Sequence, residues 1–140
     1  MGVIYLPMTA DVITPGHVKA IQFCAQRGTV IIGLLTKKAL EGYKNPVMTY
    51  LERKEILDSI KGVEKVVPQI NLNCSMNLFR YHVNYLASGD GFEEEEKKSA
   101  KLAGCKLLNI TLHGEEKEKL YSSTELKKRI WLQQKSKEEL

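Results

Sequence analysis

No apolar run in this sequence approaches the ~20 residues a helix needs to cross a bilayer, so a helical membrane protein is excluded. Cysteine is scarce: three residues in 140, at Cys24, Cys74 and Cys105, without metal-ligand spacing. An odd, scattered count speaks for reduced thiols and against a disulfide framework. Cys24 and Cys105 lie among apolar residues and are expected in the core. No basic region or small-residue cleavage site precedes the first apolar run, so no secretory leader is expected and the cytoplasm is the expected compartment. The net charge is only +4, and charges of both signs alternate through the last third. No basic block is therefore available to follow a nucleic-acid backbone, and a local positive site for a phosphorylated small molecule fits at least as well. A G-x-S-x-G elbow, a defensible Cys–His pair and the glycine-rich loops of P-loop and dinucleotide-binding proteins are also missing. These absences favour chemistry that needs positioning and charge stabilisation without a protein nucleophile, such as phosphoryl or nucleotidyl transfer.

What is present is the composition of a soluble globular protein, 43% hydrophobic and 27% charged. Residues 1–140 read as a single domain, without internal repeat or linker. Val3-Ile4-Tyr5-Leu6 reads as a first strand, and His17 to Gln26 has helical spacing of apolar residues. Gly28 stops that helix, and Thr29 to Leu35 is the continuous β-branched run of a strand buried on both faces. Thr36 to Pro46 predicts a short helical turn and a mobile loop. Thr49 caps a predicted helix to about Ile60, with Leu51, Ile56, Leu57 and Ile60 as its buried stripe. Gly62 ends it, and Val63 to Val67 predicts a third strand closed by Pro68. Asn71 to His82 predicts a weak helix, Val83 to Ala87 a fourth strand and Cys105 to Leu112 a fifth. Between the last two, Glu93 to Ala103 predicts a helix whose acidic first turn suits the positive helix terminus. A polar loop, His113 to Leu120, leads to a final helix expected to fray beyond Gln134. Alternating strands and helices predict an α/β fold, a Rossmann-like, doubly wound five-stranded parallel sheet with helices on both faces. Ligands bind such sheets outside the carboxyl ends of the strands, where the strand order reverses, so the loop after the first strand is the expected site.

That loop holds Thr9-Ala10-Asp11-Val12-Ile13-Thr14-Pro15-Gly16-His17. Thr14 suits an N-cap, Pro15 falls at the first helical position, and Gly16 allows close approach to the backbone. His17 then sits in the first turn, which makes a natural phosphate site; an ordinary capped βα connection explains the same residues. Ser122 and Glu125 have capping-box spacing, but the run Ser122-Ser123-Thr124 supplies more hydroxyls than a cap needs and suits polyphosphate oxygens. Lys44, on a loop after Gly42, and Arg53, in the next helix, are candidate cations for an anionic substrate. Gly89-Asp90-Gly91 makes a turn readily and falls beside the first loop. His82 and His113 have no partners at metal spacing and read as structural.

With these motifs in order, the chain resembles the nucleotidyltransferase superfamily defined by an H/T-x-G-H signature, over roughly residues 3 to 130. Within it the chain is similar to the small cytidylyltransferases, including glycerol-3-phosphate cytidylyltransferase. The similarity is strongest to those that accompany phosphoenolpyruvate mutase in phosphonate biosynthesis, through Met8-Thr9-Ala10-Asp11, Gly33-Leu34-Leu35-Thr36, Tyr43-Lys44, Ile60-Lys61-Gly62-Val63 and Val66-Val67-Pro68-Gln69. The resemblance implies transfer of CMP from CTP to a small phosphonate or phosphate ester, with pyrophosphate leaving. It implies His17, Thr14 and Lys44 as catalytic residues. Thr9, Ala10, Asp11, Gly16, Arg53, Gly89, Asp90, Ser122, Ser123 and Thr124 would line the nucleotide. Mg²⁺ would accompany the triphosphate, and the protein would be a homodimer that binds neither nucleic acid nor membrane. An adenylyltransferase of the same fold, or a catalytically weakened nucleotide-binding relative, stays open. Three departures from the family pattern stand out. Thr14 replaces a first histidine, Ser88-Gly89-Asp90-Gly91-Phe92 replaces a His-Gly-Asp-Asp-Trp run, and Leu120 replaces a glycine.

Overall fold

Five strands, all parallel, pair in the order β3-β2-β1-β4-β5. They are β1 (Val3–Met8), β2 (Thr29–Leu35), β3 (Val63–Gln69), β4 (Tyr85–Ser88) and β5 (Lys106–Asn109). The helices are α1 (Pro15–Ala25), α2 (Lys37–Leu40), α3 (Tyr50–Asp58), α4 (Ser75–Arg80), α5 (Glu94–Ala103) and α6 (Ser123–Glu138). The computed structural model describes residues 2–89, 91–111 and 123–138. The chain steps outward from β1 to β3, then returns to the other side of β1, so the order reverses between β1 and β4. Two cores result. Ile21 and Cys24 of α1 and Leu57 of α3 pack on Ile4, Leu6, Val30, Ile32 and Leu34 on one face. Leu78 of α4 and Ala100 of α5 pack on Tyr5, Ile31, Val67 and Leu86 on the other. The predicted doubly wound parallel architecture is therefore the one the chain adopts.

Local chemistry sets the element ends. Extended Thr14 caps α1, with Pro15 opening the helix, and Thr49 and Glu52 form a reciprocal capping box on α3. Gly104 ends α5 with φ of 72°, a left-handed conformation that costs glycine little.

Several boundaries and faces differ from expectation. Leu51 and Ile56 are 74% and 39% exposed, whereas Arg53 and Leu57 are fully buried. The inward face of α3 and the turn beyond it is Tyr50, Arg53, Leu57 and Ile60, one residue per turn, with a cation in the stripe. Pro68 does not close β3; it lies inside this edge strand, where a missing N–H is tolerated. β5 is shorter than predicted, and α6 stays helical to Glu138 where fraying was expected. The predicted helix at 71–82 contracts to α4. Cys24 is buried as expected; Cys105, expected in the core, is only half-buried at its edge, and Cys74 is buried. All three thiols are free, and burial pushes Cys24 and Cys74 up to about 11, out of the range of a reactive thiolate.

One buried polar network ties the sheet edge to its centre. The Tyr5 side chain runs across Gly33 of β2, and a Cβ at Gly33 would overlap the phenol. Its hydroxyl donates to Gln69 Oε1 on β3 at 2.8 Å and accepts from Asn77 Nδ2 at 2.9 Å. Gln69 Nε2 in turn donates to the carbonyl of Asn71 at 3.0 Å, and Asn77 donates to that of Pro68 at 3.0 Å. Every polar group named in this network has a partner, and burial drives the phenol pKa upward.

Candidate active site

The loop from β1 to α1 leaves the sheet at the point of strand reversal. Within it Ala10 is buried and left-handed, with φ of 52°, the kind of local strain that clusters at functional sites. Thr14 is buried and His17 half-buried in the first turn of α1. The Thr14 backbone N–H donates to His17 Nδ1 at 3.0 Å, and the Thr14 hydroxyl lies 3.1 Å from the same nitrogen. This is a capping box in which histidine takes the place of the usual glutamate. A backbone N–H can only donate, so Nδ1 is the acceptor and the proton of the neutral ring sits on Nε2. Gly16 is half-buried beside it in the same turn. A ring fixed through Nδ1, with its N–H at Nε2 on the opposite edge, has the kind of donor that can stabilise charge on a phosphoryl oxygen.

Behind this loop lies a second buried polar cluster. Asp11 is 2% exposed, and its two oxygens accept the backbone N–H groups of Val47 and Met48, each at 2.8 Å. Oδ2 also pairs with the Lys127 ammonium from α6. Burial pushes the Asp11 carboxyl up, but Lys127 and the Met48 and Val47 N–H groups together outweigh it and hold the group below the usual carboxylate range. Arg53 is fully buried and reaches three carbonyls: Thr9 and Leu35 from Nη1 at 2.8 Å each, and Met48 from Nε at 3.2 Å. Burial lowers the Arg53 pKa, opposed by Asp11. Arg53 Nη2 and the Tyr50 hydroxyl, which are buried, have no hydrogen-bond partner among the described residues.

The structure thus brings Thr9, Ala10, Asp11, Thr14, Gly16, His17 and Arg53 together at the carboxyl ends of β1 and β2. Two of these do something different from what the residue types suggested. Asp11 has its oxygens engaged by protein donors, and Arg53 has three of its donor directions spent on carbonyls, so both shape the site from behind. Lys44 is exposed on the loop after α2, a loop held at Val47 and Met48 by Asp11 and at Tyr43 by a 3.3 Å hydrogen bond to Glu93. Gly89 is exposed after β4, the strand beside β1, where the Ser88 hydroxyl donates to the Gly91 carbonyl at 2.6 Å. Asp90, His113, Leu120 and Ser122 lie outside the described residues; Ser123 opens α6, and Thr124 is exposed in its first turn. His82, exposed and left-handed, sits after α4 and away from this loop. Lys127 was missed. The cations Lys127, Lys128 and Arg129 are adjacent in sequence, and only the rotation of α6 selects which one meets Asp11.

The sequence model of the Cytidylyltransferase-like family matches residues 5–129, from β1 through the first half of α6. The chain belongs to that family, and the fold, the family and the position of the His17 loop define a nucleotidyltransferase. No curated protein matches the sequence significantly. Among solved structures, the chain is similar to a lipopolysaccharide core biosynthesis protein from Thermoplasma volcanium GSS1. The two are 18% identical over 81% of this chain and 99% of that one, with a TM-score of 0.70. A protein of unknown function from Archaeoglobus fulgidus is 16% identical over 79% and 99% of the two chains, with a TM-score of 0.53. At these identities the likeness is one of fold.

Proposed function

We propose that the protein is a cytidylyltransferase that transfers CMP from CTP to a small phosphonate or phosphate monoester and releases pyrophosphate. The observation that carries this reading is the His17 ring, locked through Nδ1 by Thr14 and presented at a helix start in the switch-point loop of a Cytidylyltransferase-like chain. An acceptor oxygen, already ionised at neutral pH, attacks the α-phosphorus of CTP; the bond to the bridging oxygen breaks and pyrophosphate departs with both electrons. No general base is needed. His17 Nε2–H stabilises the charge gathering on the α-phosphate in the transition state. Thr14 sets the ring, and the α1 terminus adds its positive end. In this reading the Ser122-Ser123-Thr124 run and the α6 start hold the β- and γ-phosphates, Gly89 and Asp90 face the nucleoside, and Lys44 reaches the acceptor as a point charge.

Among the described residues no group of three or more His, Cys, Asp or Glu side chains could hold a metal ion, and the Asp11 carboxylate is occupied by protein donors. A resident Mg²⁺ does not fit those residues. In this reading the ion arrives on the triphosphate, where it neutralises charge. No described helix is long and apolar enough to cross a membrane. A homodimer, by family resemblance, and a cytoplasmic location, from the scattered free thiols, complete the reading.

The test is pyrophosphate release with CTP, and separately with ATP, over a panel of small phosphonates and phosphate monoesters. Turnover with CTP and one acceptor class supports the reading. Turnover with ATP alone moves the protein to the adenylyltransferases, and release with neither nucleotide removes the enzyme assignment.

A further inference from the structure

The pairing of Asp11 with Lys127, 116 positions later, does no chemistry in the reaction just described, yet it joins the two ends of the chain. Most of the described α6 side chains are exposed. Glu125, Leu126 and Lys127 are half-buried, while Thr124 and every residue from Lys128 to Glu138 are exposed. Among the described residues of α6 the half-buried ones thus span less than one turn, and Lys127 is one of them, with a buried counter-charge. On its other side the same carboxylate grips the successive N–H groups of Val47 and Met48, and Arg53 takes the Met48 carbonyl. Donors and acceptor of one short backbone stretch are thus clamped by a buried anion and a buried cation.

We propose that Asp11 is a positioning residue: the junction that fixes both the 43–48 loop and the start of α6 against the β1–α1 loop. A carboxylate can do this because both oxygens accept. An asparagine at this position would place an N–H₂ donor against a backbone donor or against the ammonium, so it cannot keep all three partners. Lys127, by contrast, serves one arm of the junction. Ser123 and Thr124 precede it by about one helical turn, so its anchoring sets where the helix start stands. The consequence for turnover rests on the cytidylyltransferase reading: Asp11 would hold the acceptor-side loop and the triphosphate-side helix in register with His17.

The roles of Asp11 and Lys127 are asymmetric, which makes the proposal testable without ligand. Amide hydrogen exchange is measured on the full chain as wild type, D11N, K127Q, K127R and the double variant D11N/K127Q. The junction predicts that D11N speeds exchange about tenfold both at Val47 and Met48 and through residues 124–129. K127Q should speed exchange in 124–129 alone, K127R should restore it, and the double variant should exchange no faster in α6 than D11N. Amides of β1 and β2 should keep their protection in K127Q, which is 38% exposed at the substituted side chain. Unchanged α6 exchange in K127Q, or loosening that K127R fails to rescue, would overturn the proposal. In turnover, K127Q should raise KM for the nucleotide alone, and D11N should raise it for nucleotide and acceptor together. If the exchange pattern holds while no nucleotide is turned over, the junction stands and the proposed reaction falls. If turnover is found without the pattern, the junction falls alone.

Discussion

The Tyr5 and Asp11 clusters, buried on opposite faces of the sheet, are built to different rules. The Tyr5–Gln69–Asn77 cluster is made of neutral groups whose donors and acceptors answer one another. The Asp11–Arg53 cluster is made of charges, binds mostly backbone, with Lys127 as its one side-chain partner named above, and leaves Arg53 Nη2 and the Tyr50 hydroxyl without partners among the described residues. The first holds strands and a helix to each other. The second ties two loops and the first turns of α6 to the carboxyl ends of β1 and β2, which is where the site lies. A closed neutral network suits a scaffold; a charged one gripping loop backbone suits a site whose walls must be placed but are not strands or helices.

Breaking the charged cluster should have the largest effect. Arg53→Met should cost about 3–5 kcal/mol, because it removes a buried cation and strips the Thr9, Leu35 and Met48 carbonyls of their donor. Denaturant unfolding would show a lower midpoint, with nucleotide binding lost at temperatures where the variant is still folded. The neutral cluster yields next at Gly33→Ala. The added methyl would overlap the Tyr5 phenol, and displacing that ring should cost about 2–4 kcal/mol from overpacking and lost hydrogen bonds. Smaller still is Tyr5→Phe, which removes one hydroxyl and leaves Gln69 Oε1 and Asn77 Nδ2 short of a partner, at about 1–2 kcal/mol. Tyr5→Phe should lower the melting temperature with no change in KM, which separates scaffold from site.

The gentlest perturbation is acid. Asp11 has a folded pKa below its unfolded value, so its contribution is fully present above the unfolded carboxyl range and is lost as the pH falls through the depressed folded value. Lys127 faces it from α6, and Arg53 adds its charge from α3. Stability of D11N should accordingly fall less between about pH 5 and pH 3 than that of the wild type, while Tyr5→Phe should follow the wild-type curve.

The same contrast explains what could be read from the sequence. Strand and helix order, the parallel sheet and the switch-point loop were legible because they depend on local periodicity and caps: the β-branched run at Thr29 to Leu35, Thr14 before Pro15, Gly104 after α5. Residue types also placed His17, Thr14 and Asp11 in one loop. What they could not give was each side chain's partner. Arg53 looks like a surface clamp because arginines usually are, and it becomes a buried girder only once β1, β2 and the 47–48 segment converge on it. The stripe of α3 differs from its expected residues for the same reason: a buried arginine occupies the inward face in place of Leu51 and Ile56. Gly33 did carry a visible sign, since a glycine within a buried apolar strand marks close approach by another group, but nothing local identifies that group as Tyr5.

In the proposed reading the charged side of this molecule frames a nucleotidyl-transfer site with His17 at its centre. That reading is tested most directly by pyrophosphate release from CTP, across small phosphonates and phosphate monoesters, for the wild type and His17→Ala side by side. Turnover is expected from the wild type, and for His17→Ala a kcat lowered by about 3–4 kcal/mol of barrier with the melting temperature little changed. An equal kcat in the two proteins would contradict it.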